Sequence, residues 1–181
     1  MTFTPTVLKG SFLISILPHG DSRGWFARTW CKKEFARIGH TKEWVQINHS
    51  FTALAGTIRG MHYQLAPFTE IKMVRCIAGS IYDVIVDVRK HSPSYLQWFG
   101  AELSSTNKQM MYIPEGFAHG FQTLTNDVEL IYHHSSCYTP EAEAGIFQSD
   151  STLAIKWPLP LADISERDRL LPIIDNNFKA L

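Results

Sequence analysis

A guanidinium, a glycine and an imidazole stand within four residues of one another in the segment Thr57–Gln64, at Arg59, Gly60 and His62. Arginine is always charged and suits bidentate contact with a phosphate or a carboxylate. Histidine is the side chain best able to move a proton near neutral pH. Strict strand alternation would place Arg59 and His62 on opposite faces, so they share a site only if a bulge or twist at Gly60 redirects one of them. Taken alone, the segment predicts an ordinary strand with a hydrogen-bonded histidine and a surface arginine.

Four further polar residues occur in or beside segments that are otherwise apolar: Lys72, Asp83, His119 and Tyr132. The interior of a β-protein accepts lysine, aspartate or histidine only where they pair or line a pocket. Each of them has an ordinary alternative, such as an exposed strand lysine or a packed tyrosine with its hydroxyl satisfied. Together with His62 they predict a polar pocket inside a β-structure.

Many short strands must position these side chains. Strands are predicted at residues 7–17, 25–30, 45–51, 57–64, 72–77, 81–88, 97–103, 109–113, 121–124 and 128–134. Short helices are predicted at residues 32–38, ending at Gly39, and after a cap at Ser165. No segment alternates strand with helix, which disfavours a doubly wound sheet and favours an all-β sandwich or barrel. Without a linker or an internal repeat, residues 1–181 are expected to form a single domain.

The composition limits the class of protein. Apolar residues make up 45% of the chain and charged residues 19%, as in a globular protein. Seventeen basic residues balance seventeen acidic ones, which argues against a nucleic-acid binder or an anionic-membrane binder. Three scattered cysteines, Cys31, Cys76 and Cys137, indicate neither a disulfide framework nor a thiolate metal site. No signal peptide and no apolar run of about 18 residues is found, so a cytoplasmic location is expected.

Several blocks of sequence, in order, resemble the dTDP-4-dehydrorhamnose 3,5-epimerase family. The most specific is the block Ile113–Phe121, and the others are Ile58–Gln64, Lys72–Cys76 with Gly79, Asp83–Lys90, Ser92–Ser94, Trp157–Pro158 and Ser165–Asp168. The resemblance extends from about Gly20 to Pro172. It implies a cupin-like double-stranded β-helix, or jelly roll, that assembles as a homodimer.

The resemblance also implies a reaction, the epimerisation of a nucleotide-linked 4-keto-6-deoxy hexose at C3 and/or C5 in deoxysugar biosynthesis. Removing a proton next to a ketone needs a base and stabilisation of the enolate oxygen. The family resemblance assigns these roles to His62 as the base and Lys72 as the cation beside the enolate. It assigns Asp168 as the partner that orients His62, and Tyr132 as the acid on the other face. No metal and no organic cofactor is expected, and a keto-sugar reductase is expected to use the product.

Substrate-binding residues follow from the same resemblance. Arg59 would hold the diphosphate, His119 would help build the sugar pocket, and Tyr138 would help bind the nucleotide. Further positions match nucleotide contacts of the family: Gln46 and Asn48, together with Arg23 and Phe26, which in the family reach across the dimer.

Four positions depart from the family pattern. Arg28 stands where an acidic residue is usual, Ile47 where an aspartate is usual, and His133 and Arg167 where lysines are usual. Arg28 and Arg167 are therefore included among the predicted substrate-binding residues. These changes leave the nucleotide open, whether dTDP, CDP or another, as well as the number of carbons inverted. His133 and His134 are predicted to be surface or packing residues.

Two alternatives from other classes stay open at this point. A metal-dependent cupin enzyme could use His62 and His119, although the sequence has no H-x-H pair and no ordered His/His/Glu/His set. A sugar-nucleotide-binding protein without turnover is the other alternative. A binding protein would need neither a base nor an acid facing it.

Overall fold

The computed structural model describes residues 1–181 and consists mainly of short strands. The strands are β1 (Thr2–Pro5), β2 (Phe12–Ser15), β3 (His19–Asp21), β4 (Gly24–Phe26), β5 (Gln46–Thr52), β6 (Thr57–Gln64), β7 (Lys72–Ala78), β8 (Ser80–Asp87), β9 (Trp98–Ser104), β10 (Gln109–Ile113), β11 (Phe117–Thr123), β12 (Val128–His134), β13 (Glu143–Gly145) and β14 (Asp163–Ile164). The all-β prediction is confirmed.

The helices are short. Helix α1 (Lys32–Phe35) continues into a 3-10 turn, Ala36–Ile38, which ends at Gly39 in the left-handed conformation, as predicted. A second 3-10 turn covers Pro140–Ala142. Helix α2 (Glu166–Arg169) begins at Ser165, whose hydroxyl accepts a hydrogen bond from the backbone N–H of Asp168. None of the helices has the length and apolar character needed to cross a membrane.

Two sheets hold most of the strands. The first sheet has the order β1-β2-β10-β7-β12-β5, and the second has the order β13-β6-β11-β8-β9, with β14 pairing alongside β6. All the pairings are antiparallel except the short one between β14 and β6. Strands β3 and β4 form a separate two-stranded hairpin.

The main core lies between the two sheets and follows from the two-residue period of the strands. Its buried residues come from both sheets, for example Val74 and Leu130 from the first and Ile85 and Phe121 from the second. The same strands turn their alternate residues outward into two further clusters. Helix α1 and the first turns of the chain cover the first sheet, and the segments after β13 cover the second.

The structure corrects several predicted boundaries. The strand predicted at 7–17 is limited to β2, because the chain turns at Gly10, which has a φ of 94°, and β1 precedes that turn. The segment before residue 25, where no strand was predicted beyond residue 17, forms most of the hairpin β3–β4, and the strand predicted at 25–30 ends at Phe26. Strand β11 begins at Phe117, before the predicted start at residue 121, so it includes His119. The short strands β13 and β14 were not predicted.

Candidate active site

Arg59 and His62 share one cavity because strand β6 carries an extra residue between them. In the pairing of β6 with β11, His62 stands opposite His119, while Arg59 stands opposite Phe121. Two steps along β11 therefore match three steps along β6, which is the geometry of a β-bulge. The bulge puts two side chains of opposite parity on the same face. The sequence allowed Arg59 and His62 to share a site only if a bulge or twist occurred at Gly60, and the bulge is present.

Glycine is required at the bulge. Gly60 has a φ of 119°, and a Cβ there would lie 2.6 Å from Gly120 Cα and 2.7 Å from the His119 carbonyl oxygen. On the neighbouring strand, a Cβ on Gly120 would lie 2.6 Å from Met61 Sδ. The two strands approach each other closely only because neither glycine carries a side chain.

The cavity lies between the two sheets, and its volume is about 700 Å³, which is within the range of small-molecule sites. The second sheet contributes Arg59, His62 and His119 to its wall, and Asp168 adjoins them from α2. The first sheet contributes Gln46, Asn48, Lys72, Tyr132 and His134. Tyr138 and Arg167 complete the set of predicted residues that line it. The cavity therefore brings together ten of the thirteen site residues predicted from the sequence, and adds His134.

His62 and Asp168 form a hydrogen-bonded pair. His62 Nε2 lies 2.7 Å from Asp168 Oδ1, and Asp168 Oδ2 accepts the backbone N–H of Gly60 at 3.0 Å. Burial tends to raise the pKa of Asp168, but hydrogen bonding and the charge of His62 outweigh it and hold that pKa below its ordinary value. An ionised carboxylate only accepts, so Nε2 carries the proton. The Nδ1 atom of neutral His62 is then free to accept another.

His119 repeats this arrangement deeper in the protein. Its Nε2 lies 2.7 Å from Asp83 Oδ1, and the aspartate is fully buried. His119 lines the cavity as predicted for a pocket residue, whereas Asp83 does not line it and lies buried behind His119. The second oxygen of Asp83 is buried without a hydrogen-bond partner.

Lys72 projects from the facing sheet and is tied to a carboxylate. Its Nζ lies 2.9 Å from Glu70 Oε1, and Glu70 Oε2 lies 2.7 Å from His134 Nδ1. His134 was predicted to be a surface or packing residue; its side chain is largely buried and packs against Tyr132, but it also lines the cavity, which was not predicted. His133 points to the other face of β12 and packs edge-on against Trp44, as predicted for a packing residue.

Tyr132 stands between histidines of both sheets. Its ring stacks with that of His134 at a centroid distance of 6.2 Å, and its edge meets His119 at 6.5 Å. The hydroxyl lies 3.1 Å from Ser50 Oγ. Burial raises the pKa of Tyr132 well above its ordinary value, so the phenol stays protonated through the neutral range.

A polar network occupies one side of the cavity. Gln46 donates to Asn48 Oδ1 at 3.1 Å and accepts the backbone N–H of Tyr138 at 3.0 Å. Tyr138 OH donates to Glu143 at 2.9 Å, and Arg167 Nη1 lies 3.1 Å from the same carboxyl group. Arg59, also in the cavity wall, donates to the Phe51 carbonyl oxygen at 3.0 Å.

Three predicted residues lie outside the cavity of their own chain. Arg23 and Phe26 belong to the β3–β4 hairpin and are strongly exposed, Phe26 at 77%. Arg28 pairs with Glu34 at 2.8 Å on the surface. A role for these residues in binding needs a second copy of the chain and stays a prediction.

The described residues contain no group of three or more His, Cys, Asp or Glu side chains arranged to hold a metal ion. The two histidines that a metal-dependent cupin would use, His62 and His119, each direct Nε2 to an aspartate of their own. Their geometry gives that alternative no support.

The family of the chain is decided by comparison with known proteins. The family profile described as dTDP-4-dehydrorhamnose 3,5-epimerase matches residues 5–176. The dTDP-4-dehydrorhamnose 3,5-epimerase of Salmonella typhimurium is 40% identical over 177 residues, covering 97% of this chain and 96% of the relative. The chain belongs to the dTDP-4-dehydrorhamnose 3,5-epimerase family. As an epimerase it is an isomerase.

Solved structures agree with this assignment. A dTDP-6-deoxy-D-glucose-3,5-epimerase from Legionella pneumophila, in complex with dTDP-4-keto-L-rhamnose, is 36% identical with a TM-score of 0.91, covering 95% of this chain and 92% of that one. A 3'-monoepimerase from Streptomyces bikiniensis, in complex with dTDP-quinovose, is 31% identical with a TM-score of 0.86, covering 93% and 86%. The cupin-like fold predicted for the epimerase is confirmed.

The cavity residues that sequence reasoning missed include Glu70, His134 and Glu143. A signal existed for His134, because it lies two residues after Tyr132 and so shares its face. Glu70 precedes β7 in a segment that the sequence marks only as irregular. Glu143 belongs to β13, which was not predicted, so no face could be assigned to it.

Proposed function

We propose that this epimerase inverts C3 and C5 of a dTDP-linked 4-keto-6-deoxy hexose, with His62 as base and Tyr132 as acid. One observation carries the proposal: the two groups come from different sheets and line one cavity, His62 from β6 and Tyr132 from β12. Inversion takes a proton from one face of a carbon next to the ketone and returns one to the other face. Two facing sheets can supply a base and an acid on either side of a planar enolate.

His62 suits the role of the base. With Nε2 engaged by Asp168, Nδ1 of the neutral ring can accept the proton as the C–H bond breaks and its electron pair moves onto the ketone oxygen. Asp168 stabilises the imidazolium that results, as in other His–Asp pairs.

Lys72 and Tyr132 suit the remaining roles. The ammonium group of Lys72 supplies a positive charge in the cavity that can stabilise the enolate oxygen. Tyr132 keeps its proton near neutral pH and can transfer it to the far face of the enolate carbon, after which solvent reprotonates the phenolate. No step needs a metal or an organic cofactor.

The nucleotide is assigned to the polar side of the cavity. Gln46, Asn48 and Tyr138 can contact it there, while Arg59 and Arg167 supply guanidinium groups for the diphosphate. Arg23 and Phe26 would be contributed by the second subunit of a homodimer, with Arg28 nearby on the same chain segment. The keto product would then pass to a reductase.

A second candidate is inversion of a single carbon. The Streptomyces bikiniensis relative is a 3'-monoepimerase of the same fold, and a changed sugar pose or earlier release would be enough to lose one inversion. The exposed Ile47 and the surface position of Arg28 also leave room for a nucleotide such as CDP.

Proton exchange tests the proposed function. The protein is incubated in deuterated water with 4-keto-6-deoxyglucose carried on dTDP or on CDP, and exchange is followed by NMR. Exchange and inversion at both C3 and C5 on dTDP are expected, and prior dialysis against EDTA should leave the rate unchanged. Exchange at one carbon would favour the mono-epimerase, faster exchange on CDP would change the assigned nucleotide, and exchange at neither carbon on either nucleotide would overturn the proposal.

A further inference from the structure

Glu70 is a buried carboxylate that connects two cavity residues. Its side chain is only 8% exposed, with one oxygen 2.9 Å from Lys72 Nζ and the other 2.7 Å from His134 Nδ1. Lys72 and His134 stand opposite each other in the pairing of β7 with β12. Glu70 therefore bridges a cross-strand pair at the wall that faces His62.

We propose that Glu70 and His134 are positioning residues that hold the ammonium group of Lys72 at a fixed point of the cavity. The catalytic meaning of this role rests on the proposed function, in which Lys72 stabilises an enolate oxygen. A lysine side chain has four rotatable bonds, so without such a restraint its ammonium group would occupy many positions. A stabilising charge lowers a reaction barrier most when it is already in place before the reaction.

The charges of the group are consistent with this role. Burial tends to raise the pKa of Glu70, but the hydrogen bond from His134 and the charge of Lys72 outweigh it and keep that pKa below its ordinary value. Glu70 is thus ionised near neutral pH and can bind the ammonium group as a charge-assisted hydrogen-bond acceptor. Because both carboxylate oxygens have partners, the carboxylate cannot rotate without breaking one contact.

His134 is itself held on two sides. Since the Glu70 carboxylate accepts from Nδ1, Nε2 of the neutral ring is an acceptor, and Asn48 Nδ2 lies 3.4 Å from it. The ring also stacks on Tyr132. The chain of polar contacts continues from His134 through Asn48 to Gln46. Glu70 and His134 thus lie between Lys72 and the side of the cavity assigned to the nucleotide.

Chemical labelling of Lys72 tests the positioning directly and needs no substrate. Acetylation of Lys72 by a trace of acetic anhydride is measured by peptide mass spectrometry in the wild type and in E70Q, H134A and H134N. An ammonium group held against a buried carboxylate is less accessible to the reagent and reacts more slowly, so E70Q should raise the labelling rate about tenfold and H134A by a smaller factor. Asparagine can offer an N–H near the place of Nδ1, so H134N should stay close to wild type.

A matched control is available on the surface. Glu43 pairs with Lys32, and both side chains are exposed. E43Q makes the same chemical change in a different Lys–Glu pair and should leave Lys72 labelling unchanged. Thermal unfolding of each variant identifies those that fail to fold, and the labelling comparison is then made among the folded ones, with H134N as the rescue.

Steady-state kinetics add the catalytic readout. H134A should lower kcat about tenfold while KM stays within about twofold, and H134N should restore most of kcat. A rise in KM at unchanged kcat would mean that His134 contacts the ligand instead, and would overturn the proposal. Unchanged Lys72 labelling in folded E70Q and H134A would overturn it as well. If the variants change Lys72 labelling but the wild type shows no epimerisation, the positioning role stands and only the proposed function is contradicted.

Discussion

His62 and His119 differ in a way that separates their roles. Both direct Nε2 to an aspartate at 2.7 Å. The side chain of His62 is 23% exposed, whereas that of His119 is 7% exposed. A base must reach its substrate, so the more open His62 is the better candidate. His119 is better suited to shaping the wall beside Tyr132.

The His62–Asp168 pair should act as one unit. H62N and D168N are each expected to lower the exchange rate by at least about a thousandfold. H62N removes the base, and D168N removes the carboxylate that keeps the proton of His62 on Nε2, so that the other tautomer of the imidazole can form. The double variant should be little worse than either single one, because the two residues serve the same step. Exchange rates measured by NMR for the wild type, the two single variants and the double variant give the double-mutant cycle. Additive losses would show that Asp168 acts independently of His62.

The residues of the site were predictable to different degrees. His62, Lys72 and Tyr132 stand out as polar residues within predicted strands, and their catalytic roles follow from the family resemblance. Asp168 lies 106 residues after His62, and only the family resemblance connects the two. Glu70 carries no pattern of its own, since its importance depends on two partners brought together by folding.

At the scale of elements, the bulge in β6 is the feature that makes the site. The alternation of apolar and polar residues predicted most of the strands, because one face of each strand must be buried. A bulge is a break in that alternation, and a single glycine indicates only that one can occur. The close approach of Gly60 to Gly120 depends on tertiary pairing, which sequence periodicity does not contain.

Replacing Gly60 tests the bulge. A Cβ at Gly60 would meet backbone atoms of β11 at 2.6 Å and 2.7 Å, so G60A should destabilise the fold by about 3 kcal/mol or more and reduce activity strongly. Gly39 also has a positive φ, 83°, but no atom lies within 4 Å of its Cβ position. G39A should therefore cost only about 1 kcal/mol and leave activity intact. Thermal unfolding that gave equal losses would contradict the role assigned to close strand approach.

At the scale of the whole molecule, the chain holds a polar cavity and an exposed hairpin that does not reach it. Trp25 and Phe26 on the hairpin are 53% and 77% exposed, and Ile47 on the edge strand β5 is 61% exposed. Exposed apolar residues of this kind are typical of an interaction surface. They agree with the homodimer expected for the family, in which one subunit's hairpin would complete the partner's site. The cupin-like fold was predictable from the resemblance, while the single domain and the dimer stay predictions.

Mixing two inactive variants tests the shared site. H62N keeps the hairpin but lacks the base, and the double variant R23E/F26A keeps the base but has an altered hairpin. After subunit exchange, a mixed dimer contains one site with both an intact base and an intact partner hairpin. Exchange activity should therefore reappear in the mixture, although each variant alone is weak. If the exchange activity of the mixture is no higher than the sum of the activities of the two variants, the hairpin acts on the site of its own chain or makes no contribution to catalysis.

The central claim is that a base and an acid act from opposite walls of one cavity, and replacing Tyr132 tests it most directly. Y132F and H62N are compared with the wild type in deuterated water on the dTDP-linked 4-keto sugar, with NMR reporting both exchange and configuration. Y132F should keep measurable exchange but lose inversion, because the base still removes the proton and only the opposite face lacks a donor. H62N should lose both. Full inversion by Y132F, or exchange that survives in H62N, would contradict the account.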